Sequence, residues 1–173
     1  MQDEVSIHTR VGNNYRNWMH TAQTLFAGST ILARESERAR ANLRRGGKAP
    51  IELLTTWTEL MLAAFGIECL IKAIWVKQGN SLARNGKYVP MLKKERHQLV
   101  PLCRIAGIAL DAREKDALER ISIIARTIGR YPIPRHSREM PPLGWSSNDN
   151  YIIESFALRL KTELRYAISA PMA

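Results

Sequence analysis

The chain has 173 residues, of which 45% are hydrophobic and 24% charged; these proportions are typical of a globular protein and exclude long disordered stretches. Its 26 Lys and Arg outnumber its 16 Asp and Glu, and the net charge of +10 favours a polyanionic partner such as nucleic acid. Two cysteines, Cys69 and Cys103, are too few for a disulfide framework or a cysteine-rich zinc cluster. The length predicts a single domain over residues 1–173.

The N-terminal residues carry no basic region followed by an apolar core, so no secretory signal is predicted. The most apolar run, residues 60–76, contains Glu68 and Lys72 and is shorter than the roughly 20 apolar residues that a membrane-spanning helix needs. The sequence therefore predicts a cytoplasmic protein with no membrane partner.

After a short polar lead-in, a first long helix is predicted over residues 14–45, because apolar and small residues recur at spacings of three and four. The residues of this seam are Tyr15, Trp18, Ala22, Leu25, Ser29, Leu32, Ser36, Ala39 and Leu43. Arg34, Arg38 and Arg45 fall on another face of the same helix. That face is either a solvated surface or a stripe that follows phosphates, and spacing does not separate the two.

A second long helix is predicted over residues 51–78. One apolar seam runs through Leu53, Trp57, Leu60, Ala64, Ile67, Ile71 and Ile74, and a second one through Leu54, Met61, Phe65 and Trp75. A helix that is apolar on most sides is typical of the buried centre of a bundle. Glu68 and Lys72 lie one turn apart within the second seam. Buried charges are costly unless they are paired or used in chemistry, so this pair is the first functional candidate.

Asn85-Gly86 and Pro90 predict turns in the connection that follows. Three more helices are predicted, over residues 97–106, 111–128 and 147–168, with a proline-rich loop over residues 130–147. Asp111 and Glu114 have the spacing of a capping box. No segment alternates long enough to predict a strand. The predicted fold is all-α, an up-and-down bundle of four long helices plus a short one.

The signatures of most enzymes are absent from the sequence. It contains no glycine-rich phosphate loop, no Gly-x-Ser-x-Gly, no His-Glu-x-x-His and no cluster of carboxylates and histidines at metal spacing. We therefore predict neither a metal nor a cofactor. The polar residues that remain are Glu68, Lys72, His97 and the region from Arg126 to His136.

These residues lie in three short motifs: Phe65-Gly-Ile-Glu68-Cys-Leu-Ile-Lys72-Ala-Ile, then His97-Gln-Leu99 followed by Leu102, then Gly129-Arg130-Tyr131-Pro132. In this order they resemble the HEPN superfamily (higher-eukaryote and prokaryote nucleotide-binding domains). The resemblance covers about residues 55–136. It implies a small helical bundle that forms a homodimer and binds RNA or a nucleotide, in some members as a metal-independent ribonuclease of a toxin–antitoxin or defence system.

The catalytic motif of that family is an Arg followed after four to six residues by a His, and Arg130 and His136, separated by five residues, match it. The resemblance implies that Arg130 binds the scissile phosphate and that His136, or His97 as second candidate, takes the proton of a ribose 2′-OH. Glu68 would orient Arg130 or a histidine. The implied substrate-binding residues are Lys72, His97 and Arg126.

Pro132 and Pro134 lie between the implied catalytic pair and depart from the family pattern, in which both residues begin a helix. Structural alternatives therefore stay open: Arg130 pairs with a buried acid such as Glu68, and His97 only caps the short helix. Trp145 either packs or stacks on a base. The alternative function is a non-catalytic interaction module that binds a partner protein.

Overall fold

A computed structural model describes residues 2–48, 56–93, 97–127 and 145–166. In these ranges the chain is mostly helical, with α1 (Gln2–Gly12), α2 (Tyr15–Arg44), α3 (Thr56–Lys77), α4 (Leu99–Ile105), α5 (Ala112–Arg126) and α6 (Ser147–Tyr166). A two-stranded antiparallel sheet, β1 (Ala83–Arg84) and β2 (Lys87–Tyr88), lies between α3 and α4. The all-α class is confirmed, whereas the up-and-down arrangement of four long helices and the single domain stay predictions.

The predicted polar lead-in is wrong, since residues 2–12 form α1. Asp3 and Glu4 in the first turn and Arg10 in the last complement the helix dipole, and the apolar residues Val5, Ile7 and Val11 are largely exposed. The predicted start of the next helix is confirmed. The Asn14 side chain caps α2 by accepting a hydrogen bond from the backbone N–H of Arg16 at 3.0 Å.

The prediction of no strands is also wrong, because two strands of two residues each are too short for an alternating pattern. The predicted turn is confirmed: Asn85 and Gly86 both have positive φ, 52° and 73°, as a two-residue type I′ hairpin requires. Asn13 holds this hairpin against α1. Its side-chain amide donates to the carbonyl of Ala83 at 2.8 Å, and its oxygen accepts from the N–H groups of Leu82 and Ala83.

The predicted central helix is confirmed as α3, which packs against α2, α4, α5 and α6. The predicted seam residues Leu60, Ala64, Ile67, Ile71 and Ile74 are all buried. Leu53 and Leu54 lie outside the described residues. Where α2 and α3 meet, a Cβ on Gly66 would lie 2.8 Å from the ring of Phe26, so glycine permits this close approach.

The later helices follow the predicted pattern within the described ranges. The capping box is confirmed, with the Asp111 side chain accepting from the N–H of Glu114 at 2.7 Å and the reciprocal bond at 3.1 Å. Trp145 packs against the core and donates to Asn150 at 2.6 Å, which favours its structural role. The predicted proline-rich loop falls mostly on residues 128–144, outside the described part. In the described ranges no helix combines the length and apolar character that crossing a membrane requires.

Asp149 in the first turn of α6 gives a testable prediction about stability. One carboxylate oxygen binds the Arg120 guanidinium, and the other accepts from the N–H and hydroxyl of Ser146 at 2.7 and 2.9 Å. The bond from Arg120 outweighs burial and, with the bonds from Ser146, lowers the pKa of Asp149 to about 2. Asp149→Asn should lower the free energy of unfolding at pH 7 by about 1–3 kcal/mol.

The pH dependence has a defined sign, because the folded-state pKa of Asp149 lies below its unfolded value of about 3.9. The stabilisation is fully present above the unfolded value and is lost as the pH falls toward the folded one. Urea unfolding between pH 2 and 7 should therefore show that the free energy of unfolding falls less with decreasing pH for Asp149→Asn than for the wild type. Asp116→Asn, which removes a mostly exposed partner of the same Arg120, is the control. An equal fall in the free energy of unfolding with decreasing pH for the wild type and Asp149→Asn would contradict the prediction.

Candidate functional site

Glu68 joins two of the predicted site residues through one carboxylate. Glu68 and Lys72 lie one helical turn apart on α3, and the Lys72 Nζ is 2.6 Å from Glu68 Oε1. His97, just before α4, places its Nδ1 2.7 Å from Glu68 Oε2. The structure therefore brings together Glu68, Lys72 and His97.

The site is buried on one side and open on the other. Glu68 and Lys72 are each 7% exposed, whereas the side chain of His97 retains 30% of its exposure. Burial alone would raise the pKa of Glu68, but the hydrogen bond from His97 and the charge of Lys72 together hold it below its usual value. The carboxylate is therefore ionised near neutral pH and accepts from both partners.

The ionised carboxylate also fixes the proton on His97. A carboxylate without a proton only accepts, so the Nδ1 of His97 donates in this contact. In a neutral ring the lone pair then lies on Nε2. A carboxylate that orients an imidazole in this way is the arrangement used where histidine acts as a general base.

His97 adopts a backbone conformation that side chains disfavour, with φ of +54°. Its ring lies against Phe65, with the ring centroids 4.8 Å apart. Such backbone strain costs about 1–3 kcal/mol and occurs preferentially at functional sites.

The alternative that His97 caps the short helix is wrong. Gln98 is the N-cap residue of α4, and its side chain makes no capping hydrogen bond. The N–H of Leu99 instead donates to the hydroxyl of Ser122 on α5, at 3.1 Å. This bond ties the start of α4 to α5 and leaves His97 outside the cap.

Two aromatic rings that sequence reasoning did not assign to the site lie close to Lys72. The Nζ is 5.3 Å from the ring centroids of Trp18 on α2 and of Tyr88 on β2, within the range of cation–π attraction. The sequence predicts Trp18 only as part of the apolar seam of the first long helix, and it predicts no role for Tyr88. No local pattern could have found this contact, because the hairpin carries Tyr88 to Lys72.

Arg126, the fourth predicted site residue within the described part, lies elsewhere. It is exposed at the end of α5, and its Nε donates to the carbonyl of Ser122 at 3.2 Å. Its side chain lines a cleft between α4 and α5 together with Gln98, the residue after His97. Arg126 therefore neighbours the Glu68 cluster through α4 and is not a member of it.

Arg130 and His136 lie outside the described residues, and so does the alternative pairing of Arg130 with Glu68. The described carboxylate contacts of Glu68 are with Lys72 and His97. Within the same ranges no group of three His, Cys, Asp or Glu residues could hold a metal ion. Burial raises the pKa of the Cys69 and Cys103 thiols to about 11 and 12, so neither is an activated nucleophile.

Arginines of α2, one of them on the face of Arg34, Arg38 and Arg45, form ion pairs within their own helix. Arg38 pairs with Glu35 at 2.5 Å, and Arg44 pairs with Glu37. Arg34, Arg38 and Arg45 are all exposed. Of the three arginines of this face only Arg38 forms an ion pair within the described residues, and both interpretations of the face therefore stay open.

Comparison of the chain with protein-family models, with curated proteins and with solved structures found no match.

Proposed function

We propose that the chain is a cytoplasmic HEPN-like protein that binds RNA and cleaves it without a metal ion. The observation that carries the proposal is the Glu68 carboxylate bound to both Lys72 and His97, with the imidazole partly open to solvent. A buried carboxylate that orients a partly exposed imidazole is suited to general base catalysis. The net charge of +10 supports a polyanionic substrate.

In the proposed mechanism, Nε2 of His97 takes the proton of a ribose 2′-OH. The 2′ oxygen then forms a bond to the adjacent phosphorus, and the bond from phosphorus to the 5′ oxygen breaks. The products are a 2′,3′-cyclic phosphate and a 5′-OH, whose proton comes from an acid such as His136. Arg130 stabilises the additional negative charge on the phosphate.

Lys72 has a different role in this proposal from the substrate contact predicted for it. Its ammonium is 2.6 Å from Glu68, and the residue is almost completely buried. We assign to it the task of keeping Glu68 ionised and in position. The homodimer, an antitoxin partner and membership of a toxin or defence system are part of the proposal and rest on the HEPN resemblance alone.

The test is cleavage of single-stranded RNA by the wild type in EDTA, with the ends of the products identified. We expect fragments that end in a 2′,3′-cyclic phosphate, and we expect Arg130→Ala and His136→Ala to slow their formation by about 10²-fold or more. Unchanged cleavage in both variants would remove Arg130 and His136 from the site. Absence of cleavage by the wild type would overturn the ribonuclease.

A second candidate function is a non-catalytic module that binds a partner protein. It is favoured by the burial of Glu68 and Lys72, since a buried, paired couple also serves to hold a bundle in register. A wild type that neither cleaves nor binds RNA, but retains its fold, would support this alternative.

A further inference from the structure

A cleft of about 420 Å³ lies between α4 and α5, and Gln98, the residue after His97, is part of its lining. Its volume is within the range of small-molecule sites, about 300–1,000 Å³. α4 contributes Pro101 and Arg104 to its lining, and α5 contributes Lys115, Glu119 and Arg126. The lining of the cleft thus contains three cations and one carboxylate.

The two arginines of this cleft are available to a ligand. Arg104 and Arg126 form no ion pair within the described residues. The Nε of Arg126 donates to the carbonyl of Ser122, which holds the guanidinium at the rim of the cleft. An oriented guanidinium without a carboxylate partner is suited to bind a phosphate oxygen.

The remaining charges of the cleft leave its potential positive. Lys115 and Glu119 approach each other only to 4.0 Å, and both side chains are more than half exposed. A pair of this kind contributes little and holds neither group in place. The net charge of the side chains that line the cleft is therefore positive, which favours an anionic ligand.

The rest of the lining suits the body of a nucleotide. Val100, Pro101 and Ile123 form an apolar wall beside the cations. The Gln98 side chain also lines the cleft, and within the described residues it makes no capping or other hydrogen bond. A planar base or a sugar can pack on the wall while the Gln98 amide binds a polar edge.

We propose that the cleft between α4 and α5 binds a phosphate group of RNA or of a nucleotide, through Arg104, Arg126 and Lys115. Gln98, which lines this cleft, directly follows His97 in the sequence, so the cleft adjoins the Glu68 cluster along the chain. The assignment of the bound phosphate to an RNA strand rests on the proposed function. Binding of a phosphate group in the cleft does not, because it requires no cleavage.

The experiment measures binding of two probes that cannot be cleaved: a fluorescent 2′-O-methyl oligouridine, by anisotropy, and uridine 5′-monophosphate, by calorimetry. Arg104→Gln and Arg126→Gln should each weaken binding by about tenfold or more, since each removes charge-assisted hydrogen bonds. Glu119→Gln should tighten it by roughly two- to fivefold, because it removes the one carboxylate of the cleft. Binding of the oligomer alone identifies an internal phosphodiester, and binding of the monophosphate identifies a terminal phosphate.

Arg113→Gln is the matched control. It removes the same charge from the same helix, but Arg113 is about 200° around α5 from Lys115 and does not line the cleft. Absence of wild-type binding to both probes, or equal weakening by Arg113→Gln, Arg104→Gln and Arg126→Gln, would overturn the proposal. If wild type cleaves RNA while the cleft variants bind normally, the cleft fails and the ribonuclease stands. Selective loss of binding without any wild-type cleavage retains the cleft and overturns the ribonuclease.

Discussion

Replacing His97 by asparagine is expected to slow RNA cleavage by about 10²–10⁴-fold, the usual contribution of a general base. Asparagine is the appropriate substitution because it tolerates positive φ, and His97 has φ of +54°. Its amide can still donate to Glu68, whose partner on the other oxygen is Lys72. The variant therefore removes the lone pair of Nε2 while changing the local structure little.

The measurement is single-turnover cleavage of a labelled RNA in EDTA, with binding of the non-cleavable oligomer measured in parallel. His97→Asn should lose the chemical step and keep most of its affinity. His20→Asn changes an exposed histidine on α2 that has no proposed role and serves as the control. Cleavage by His97→Asn at the wild-type rate would show that another group is the base.

Replacing Glu68 by alanine is expected to lower the free energy of unfolding by about 3–5 kcal/mol, because it removes the carboxylate that lies 2.6 Å from the buried ammonium of Lys72. The double variant Glu68→Leu with Lys72→Met should recover most of this loss, since an apolar pair of similar volume needs no compensation. The residual deficit reflects the lost hydrogen bond from His97 to Glu68 and the lost attraction of Lys72 for Trp18 and Tyr88. Urea unfolding of the single and double variants gives these energies, and a double variant as unstable as Glu68→Ala would contradict the buried-charge explanation.

The same pair predicts a pH dependence of stability. The folded-state pKa of Glu68 is lowered, so its contribution is fully present above its unfolded pKa of about 4.3 and is lost as the pH falls through the folded value. When the free energy of unfolding is measured from pH 7 downward, Glu68→Gln should lack the part of its decrease that comes from protonation of Glu68. Glu163→Gln, an exposed change on α6, should retain it.

Much of the helical structure was predictable from residues close in sequence. The seam of α3, the Asn14 cap of α2 and the capping box of Asp111 and Glu114 depend on spacings of two to four residues, which a helix converts directly into contacts. The ion pair of Glu68 and Lys72 belongs to the same class, because the two residues are one turn apart.

The candidate site as a whole was decided only by the tertiary structure. His97 reaches Glu68 across 29 residues of sequence, and Asn13 reaches Leu82 across 69. These contacts depend on the path of the chain between α3 and α4, where the hairpin folds back onto α1 and carries Tyr88 to Lys72. Local propensity and periodicity do not encode such a path, since it is set by which surfaces pack together. The sequence by itself thus determined that α3 carries a paired charge, and the packing of the chain decided that this pair holds His97.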